Sequence, residues 1–136
     1  MNTFHLSLDV PDLEAAVGFY RELFGIAPAK EKPGYAKFEL ADPPLALALN
    51  ENGRPGLSHL GIRVEDTATV EAASARLKET GLATLDERDT ACCYARQDKV
   101  WVTDPAGNPW EVYTVIEDVE ENDAAQTCCA DGTACC

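Results

Sequence analysis

Two short stretches decide the fold: HLSLDV at residues 5–10 and HLGIRV at residues 59–64. In each stretch apolar residues alternate with polar or small ones, which is the period of a β-strand with one face buried. The stretches begin 54 positions apart, and each is followed at the same distance by an aspartate, Asp12 or Asp66. This spacing predicts a domain built from two copies of one supersecondary unit.

Each predicted strand is followed by a helical pattern. Asp12 is placed to cap an amphipathic helix that stops at Gly25, and Asp66 precedes a helix predicted from about residue 67 to residue 80, with Gly81 as its stop. Several short strands are expected after each helix. The pattern therefore predicts an α+β fold of two strand-helix-strands units.

The closing segment of the second unit contains a strand, a turn and a strand. The strands are predicted at residues 100–103 and 110–115, and the turn between them is DPAGNP at residues 104–109. No apolar period continues beyond Ile116. We therefore expect a domain at residues 1–116, with repeats at about 3–50 and 57–116, and a flexible acidic cysteine-bearing tail at residues 117–136.

Charge and length exclude several classes of function. The chain has 136 residues, and 11 Lys+Arg against 24 Asp+Glu give a net charge of −13. Such an acidic protein is a poor partner for nucleic acids and anionic membranes. The sequence contains no apolar run long enough to span a bilayer and no signal-peptide pattern, so a cytoplasmic location is expected.

The six cysteines form three adjacent pairs: Cys92-Cys93, Cys128-Cys129 and Cys135-Cys136. A secreted disulfide scaffold distributes its cysteines through the fold, whereas here the first 91 positions contain none. Reduced thiols in such pairs suit soft metals and metalloids. For the two tail pairs, a flexible dithiol arm, a metal-buffering feature and an incidental tail remain open alternatives.

The only two histidines, His5 and His59, occupy equivalent positions of the repeat and should face the same concavity. Glu111, which follows the turn in the last strand, is the leading candidate for a third ligand. Two imidazoles and one carboxylate form a facial triad with open coordination positions, the arrangement of non-haem Fe(II) oxygenases. The alternative is that these are ordinary strand residues, and the duplication argues against it.

These features together resemble the vicinal oxygen chelate superfamily of glyoxalases and extradiol dioxygenases, over residues 3–116. Within it, CCYARQDKVWV at residues 92–102 and the cysteine-ending tail resemble the carbon-arsenic lyases and the similar cadmium-induced proteins. The resemblance implies two tandem βαβββ modules that form a curved, cup-like mixed sheet around a metal site. Superfamily members often form dimers, so a homodimer is an open alternative.

The activity implied by the resemblance is dioxygen-dependent removal of a methyl or aryl group from trivalent organoarsenicals, such as methylarsenite, to give arsenite. In that interpretation the catalytic residues His5, His59 and Glu111 hold Fe(II), and Cys92 and Cys93 bind the arsenic of the substrate. Glyoxalases typically add a fourth ligand at the end of the first half, where LALALN at residues 45–50 offers neither His nor Glu.

Two other functions stay open. One is a thiol protein that sequesters cadmium or arsenite without turnover, which would need only its cysteines. The other is a drug-binding protein of the same superfamily, which would need neither the triad nor the cysteine pairs. The presence of all three triad residues favours the enzyme.

Further residues near the expected site have weaker signals. For Gln97 and Lys99 a solvated turn is favoured, and the alternative is that they line the pocket or close a loop over it. Tyr113 and Arg63 are candidates to support the ligands. Both tryptophans, Trp101 and Trp110, are expected to pack in the core.

Overall fold

The computed structural model describes residues 2–121. The predictions for the tail pairs Cys128-Cys129 and Cys135-Cys136 lie outside the described residues. The elements, in chain order, are β1 (Thr3–Val10), α1 (Leu13–Phe24), β2 (Lys30–Lys32), β3 (Tyr35–Ala41), β4 (Pro44–Glu51), β5 (Gly56–Arg63), α2 (Thr67–Glu79), β6 (Leu85–Cys92), β7 (Ala95–Thr103) and β8 (Pro109–Asp118). This order is βαβββ twice, as the repeat predicts.

The strands form one mixed sheet of eight, ordered β2-β3-β4-β1-β5-β8-β7-β6. Within each module the first strand runs parallel to the last, β1 beside β4 and β5 beside β8. The two modules join at the centre through the antiparallel pair β1 and β5. The sheet curls so far that Lys30 on one edge strand reaches the turn at its other end, donating from Nζ to the Tyr94 carbonyl at 3.0 Å.

Both helices begin and end where their capping residues predict. Asp12 accepts a hydrogen bond from the Ala15 amide at 3.1 Å, and Asp66 accepts one from the Thr69 amide at 2.8 Å. Gly25 ends α1 with a φ of 68°, a left-handed conformation that suits glycine. Neither helix in residues 2–121 is long and apolar enough to cross a membrane.

The core lies on the convex face of the sheet. One cluster of buried residues under α1 contains Phe38, Leu47 and Leu49, and a second under α2 contains Val64, Val70 and Val100. Since side chains alternate across a strand, the concave face carries the other set of residues. On that face lie buried polar groups, which include His5, Ser7, His59, Lys99 and Glu111.

The structure differs from the sequence-based expectation in the second module. Gln97 and Lys99 do not lie in a solvated turn: they belong to β7 and are 3% and 1% exposed. The polarity of Gln97 and Lys99 made this buried strand hard to recognise from the sequence, because both side chains lie on the polar concave face of the sheet. The last strand continues to Asp118, since its backbone still pairs with Arg96 and Ala95 after the apolar pattern stops.

Gly18 in the middle of α1 offers a test of the helix. A Cβ at this position would meet nothing within 4 Å. Replacing glycine in a helix with alanine reduces the conformational freedom of the unfolded chain, so Gly18→Ala should raise the free energy of unfolding by about 0.5–1 kcal/mol. Urea unfolding followed by circular dichroism would measure the change. A destabilised variant would contradict the assignment of this face of α1 as open.

Candidate metal centre

Three neighbouring strands bring the candidate ligands into one row. His5 on β1 pairs with Gly61 on β5, and Gly61 pairs on its other side with Glu111 on β8. Paired residues of adjacent strands project to the same face of a sheet. His59 lies two residues before Gly61, so its side chain emerges on that face too. The strand register alone therefore brings two imidazoles and a carboxylate close together.

The converging atoms are two imidazole nitrogens and one carboxylate oxygen. His5 Nε2 lies 3.3 Å from His59 Nε2, and Glu111 Oε1 lies 3.7 Å and 3.6 Å from these two atoms. All three residues are buried, and their ligand atoms lie within 4.8 Å of one another. His59 Nδ1 contacts the Ser58 hydroxyl at 3.0 Å, which leaves Nε2 directed at the centre. These donors fit a divalent metal ion of borderline softness.

Gly61 makes room for this convergence. A Cβ on Gly61 would lie 2.8 Å from Glu111 Cγ, 3.0 Å from the Glu111 carbonyl oxygen and 3.4 Å from His5 Cδ2. The first two distances are shorter than van der Waals contact. The glutamate side chain thus crosses directly over a position that tolerates only hydrogen.

The first module lacks a fourth ligand. Its pair equivalent to Gly61 and Glu111 is Ser7 and Ala48, which are also partners on parallel strands. Ala48 is fully buried and carries no donor. The duplicated framework therefore supplies two histidines but only one carboxylate, which leaves coordination positions of a bound ion open.

Burial and neighbouring charges set the protonation states of the ligands. Burial lowers the pKa of the His5 imidazole from 6.5 to about 4, against the opposing influence of Glu111. Burial alone would raise the pKa of the Glu111 carboxyl, but the Lys99 ammonium and the two histidines outweigh it and hold that pKa well below its usual range. At neutral pH the His5 imidazole is neutral and the carboxylate is charged, which are the forms that bind a metal.

A small cavity adjoins the ligands. The residues that line it include His5, Glu111, Tyr35, Arg63, Cys93, Gln97 and Tyr113. Tyr113 packs its ring 5.3 Å from the His5 ring, and Arg63 forms a two-bond ion pair with Glu39 at 2.9 Å and 3.2 Å. The predicted supporting residues Tyr113 and Arg63 thus lie at the site.

The structure separates the two tryptophans from the cavity lining. Trp101 is 2% exposed and packs edge-on against the His59 ring at 5.1 Å, while its indole nitrogen donates to Glu87. Trp110 contacts Phe4 on the convex face. Their predicted packing role agrees with these contacts.

Cys93 reaches this cavity from a tight turn. Cys92 ends β6 and pairs with Ala95, so Cys93 and Tyr94 form a two-residue hairpin connection with φ values of 55° and 57°. Left-handed conformations at both central positions are those of a type I′ turn, which usually contains Asn or Gly. Cys92 is fully buried and takes part in a disulfide in this structure, so it must be reduced before its sulfur can bind a thiophilic ligand.

Tyr35 had no recognised sequence signal, and Lys99 had a weak one that favoured a solvated turn over the pocket. Tyr35 is 3% exposed beside Cys93, and burial together with that thiol raises the pKa of its phenol well above the ordinary value, so it stays protonated. Lys99 donates from Nζ to Glu111 Oε2 at 2.9 Å. The signal available for Lys99 was its phase, since it shares the inward face of β7 with Trp101.

A curved sheet of two βαβββ modules, with three buried donors on its concave face, defines the vicinal oxygen chelate class of fold. The chain belongs to the glyoxalase/bleomycin resistance protein/dioxygenase superfamily, whose family model matches residues 3–112.

Two curated proteins are similar to this chain over most of its length. The chain is 56% identical to a trivalent organoarsenical cleaving enzyme of Thermomonospora curvata, over 100% of this chain and 89% of the relative. It is 57% identical to the cadmium-induced protein CadI of Mycobacterium tuberculosis, over 88% of this chain and 80% of the relative.

A solved structure shares the fold. Homoprotocatechuate 2,3-dioxygenase from Arthrobacter globiformis superposes with a TM-score of 0.67 and 26% identity over 85% of this chain. This chain spans only 36% of that dioxygenase chain, so the likeness concerns one part of a larger protein.

Gly61→Ala tests the crowding at the ligands. The added methyl group must displace the Glu111 side chain, so the affinity for a divalent metal should fall by about tenfold to a hundredfold while the fold persists. Anaerobic calorimetric titration with Fe(II) measures the affinity. Gly18→Ala is the matched control, because its methyl group enters open space. Equal affinities of the two variants would show that Glu111 is not a ligand.

The buried His5 should make the metal-free protein sensitive to acid. Between pH 6.5 and about 4 the unfolded chain binds a proton at this residue that the folded chain does not. The free energy of unfolding should therefore decrease as the pH is lowered from 6.5 to about 4, by on the order of 3 kcal/mol from this group. Urea unfolding at a series of pH values measures it. His5→Asn should flatten the profile, and an unchanged slope would refute the assignment.

Proposed function

We propose that this chain is a carbon-arsenic lyase that cleaves trivalent organoarsenicals, such as methylarsenite and aromatic arsenicals, in an Fe(II)- and dioxygen-dependent reaction that releases arsenite. His5, His59 and Glu111 are the proposed iron ligands, and Cys92 and Cys93 are the proposed arsenic ligands. The cell compartment that fits reduced thiols and Fe(II) is the cytoplasm. The ligands come from one chain, so the activity does not require a homodimer.

One observation carries the proposal: a single cavity is lined by Cys93 and by two of the proposed iron ligands, His5 and Glu111. A soft sulfur donor and a borderline metal site thus open onto the same small space. The 56% identity to a trivalent organoarsenical cleaving enzyme across the whole chain supports the same substrate class.

The two kinds of ligand divide the work chemically. Thiolates bind As(III) strongly, whereas imidazole and carboxylate groups suit Fe(II). The arsenical and the iron therefore do not compete for the same ligands. Iron, when bound, supplies the site at which dioxygen is activated for oxidative chemistry. Sulfur coordination then holds the arsenic beside that site, which replaces a random encounter by a positioned one.

The remaining groups of the cavity orient and enclose the substrate. Gln97 donates from Nε2 to the Cys92 carbonyl at 2.7 Å and thereby fixes the backbone that precedes Cys93. The protonated Tyr35 phenol lies against Cys93 and can stabilise its thiolate by donating a hydrogen bond. The buried setting excludes bulk water from the reaction.

Sequestration of cadmium or arsenite without turnover is the second candidate, favoured by the 57% identity to the cadmium-induced protein CadI. Sequestration requires the thiols but not the three buried ligands. The two functions therefore differ in how they depend on His59.

The deciding experiment compares thiol and histidine variants under reducing conditions. Cys93→Ser should lose at least about 90% of arsenite release from methylarsenite while still binding Fe(II), because a serine hydroxyl cannot replace a soft thiolate. Cys92→Ser should behave likewise, with Cys135→Ser as the matched cysteine control. Product analysis by chromatography with elemental detection measures release.

His59→Ala separates the two candidates. A lyase loses both Fe(II) and turnover in this variant but still binds the arsenical through its thiols. If the unaltered protein, loaded with Fe(II) in air, binds methylarsenite and releases no arsenite, the lyase is refuted and sequestration stands. Near-normal release by Cys93→Ser would instead refute the assignment of the arsenic ligands.

A further inference from the structure

Lys99 is a buried cation that forms an ion pair with Glu111, a proposed metal ligand. Its side chain is 1% exposed, and Nζ lies 2.9 Å from Glu111 Oε2. The ammonium also lies over the rings of Trp101 and Tyr113, at 5.3 Å and 5.6 Å from their centroids. A fully buried charge of this kind is stable only when it is paired, so the contact with Glu111 is a strong restraint.

The two oxygens of Glu111 therefore have different partners. Oε1 faces the imidazoles of His5 and His59 at 3.7 Å and 3.6 Å, whereas Oε2 faces the Lys99 ammonium. A carboxylate can bind a metal through one oxygen or through both. Binding through both would draw Oε2 towards the metal and weaken its ion pair with the buried Lys99 ammonium.

Neighbouring side chains keep Lys99 in this position. The Trp101 ring beneath the ammonium is itself fixed, because its indole nitrogen donates to Glu87 Oε1 at 2.7 Å. On the other side of the carboxylate, the hydrogen of Gly61 allows Glu111 Cγ to approach the β5 backbone. The carboxylate is thus restrained at both its stem and its outer oxygen.

We propose that Lys99 is a positioning residue that makes Glu111 a ligand through one oxygen only, and so keeps an additional coordination position of the metal open. The inference rests on the metal-binding part of the proposed function and not on arsenic chemistry. An open position matters because the proposed reaction brings both dioxygen and a thiolate-held arsenical to the same ion.

The test uses the full chain loaded with Mn(II) in place of Fe(II), with two readouts. The first is a crystal structure of the loaded wild type, in which Glu111 should bind through one oxygen and keep Oε2 on Lys99. The second is the water-proton relaxation rate, which depends on the number of water molecules on the ion. Lys99→Met should let Glu111 bind through both oxygens and lower the metal-dependent relaxation by about one third, as one of three open octahedral positions is lost.

Lys37→Met is the matched control. Lys37 lines the same cavity but pairs with Glu39 at 3.1 Å, so its removal should leave the relaxation rate unchanged. Lys99→Gln is a second variant in case the methionine disturbs folding, because its shorter amide removes the charge yet keeps a polar group. It should show the same decrease.

The outcomes separate this inference from the proposed function. Two-oxygen binding by Glu111 in the loaded wild type, or an unchanged relaxation rate in both Lys99 variants, overturns the inference and leaves the lyase proposal intact. A wild type that binds no divalent metal at these residues overturns both. A structural role for Lys99 alone would lower the stability of the variants without changing the number of bound waters.

Discussion

The hydrogen-bond register of three central strands is the constraint on which the site depends. It places His5, Gly61 and Glu111 side by side on β1, β5 and β8, with His59 two residues along the middle strand. A slip of one residue in either pairing would turn a ligand to the convex face, under the helices. The seam between the two modules is therefore also the floor of the candidate metal centre.

That register buries polar and charged side chains on the concave face, and the free-energy cost of burying them has to be offset by pairing. The concave face holds Glu111 and Lys99, both nearly inaccessible to solvent, and each stabilises the other as an ion pair. Breaking such a pair leaves one charge buried alone, so a change at either residue lowers the free energy of unfolding. The apolar clusters under the helices provide the hydrophobic stabilisation, and the inner face is left free for chemistry.

The two modules share a framework and differ in what they place on it. Where β8 carries Glu111, the equivalent strand β4 carries Ala48. The hairpin that connects β2 and β3 turns with an ordinary positive-φ glycine, Gly34, whereas the equivalent hairpin of the second module uses Cys93 and Tyr94. Left-handed conformations of non-glycine residues cost about 1–2 kcal/mol each, and such strain is typical of functional positions. The two modules thus differ at the proposed metal ligand Glu111 and at the turn that carries Cys93.

The sequence by itself determined the duplication, both helix caps and the shared phase of His5 and His59, because alternation and capping are local signals that recur in each half. It indicated Glu111 as a candidate third ligand from its place after the turn in the last strand. It could not determine that Lys99 is buried or that Tyr35 lies beside Cys93. A lysine in a polar stretch is ordinarily solvated, and only the partner that curling brings to it changes that expectation. Tyr35 and Cys93 are far apart in the chain and belong to different modules. Their contact exists because the sheet closes on itself, which no local pattern encodes.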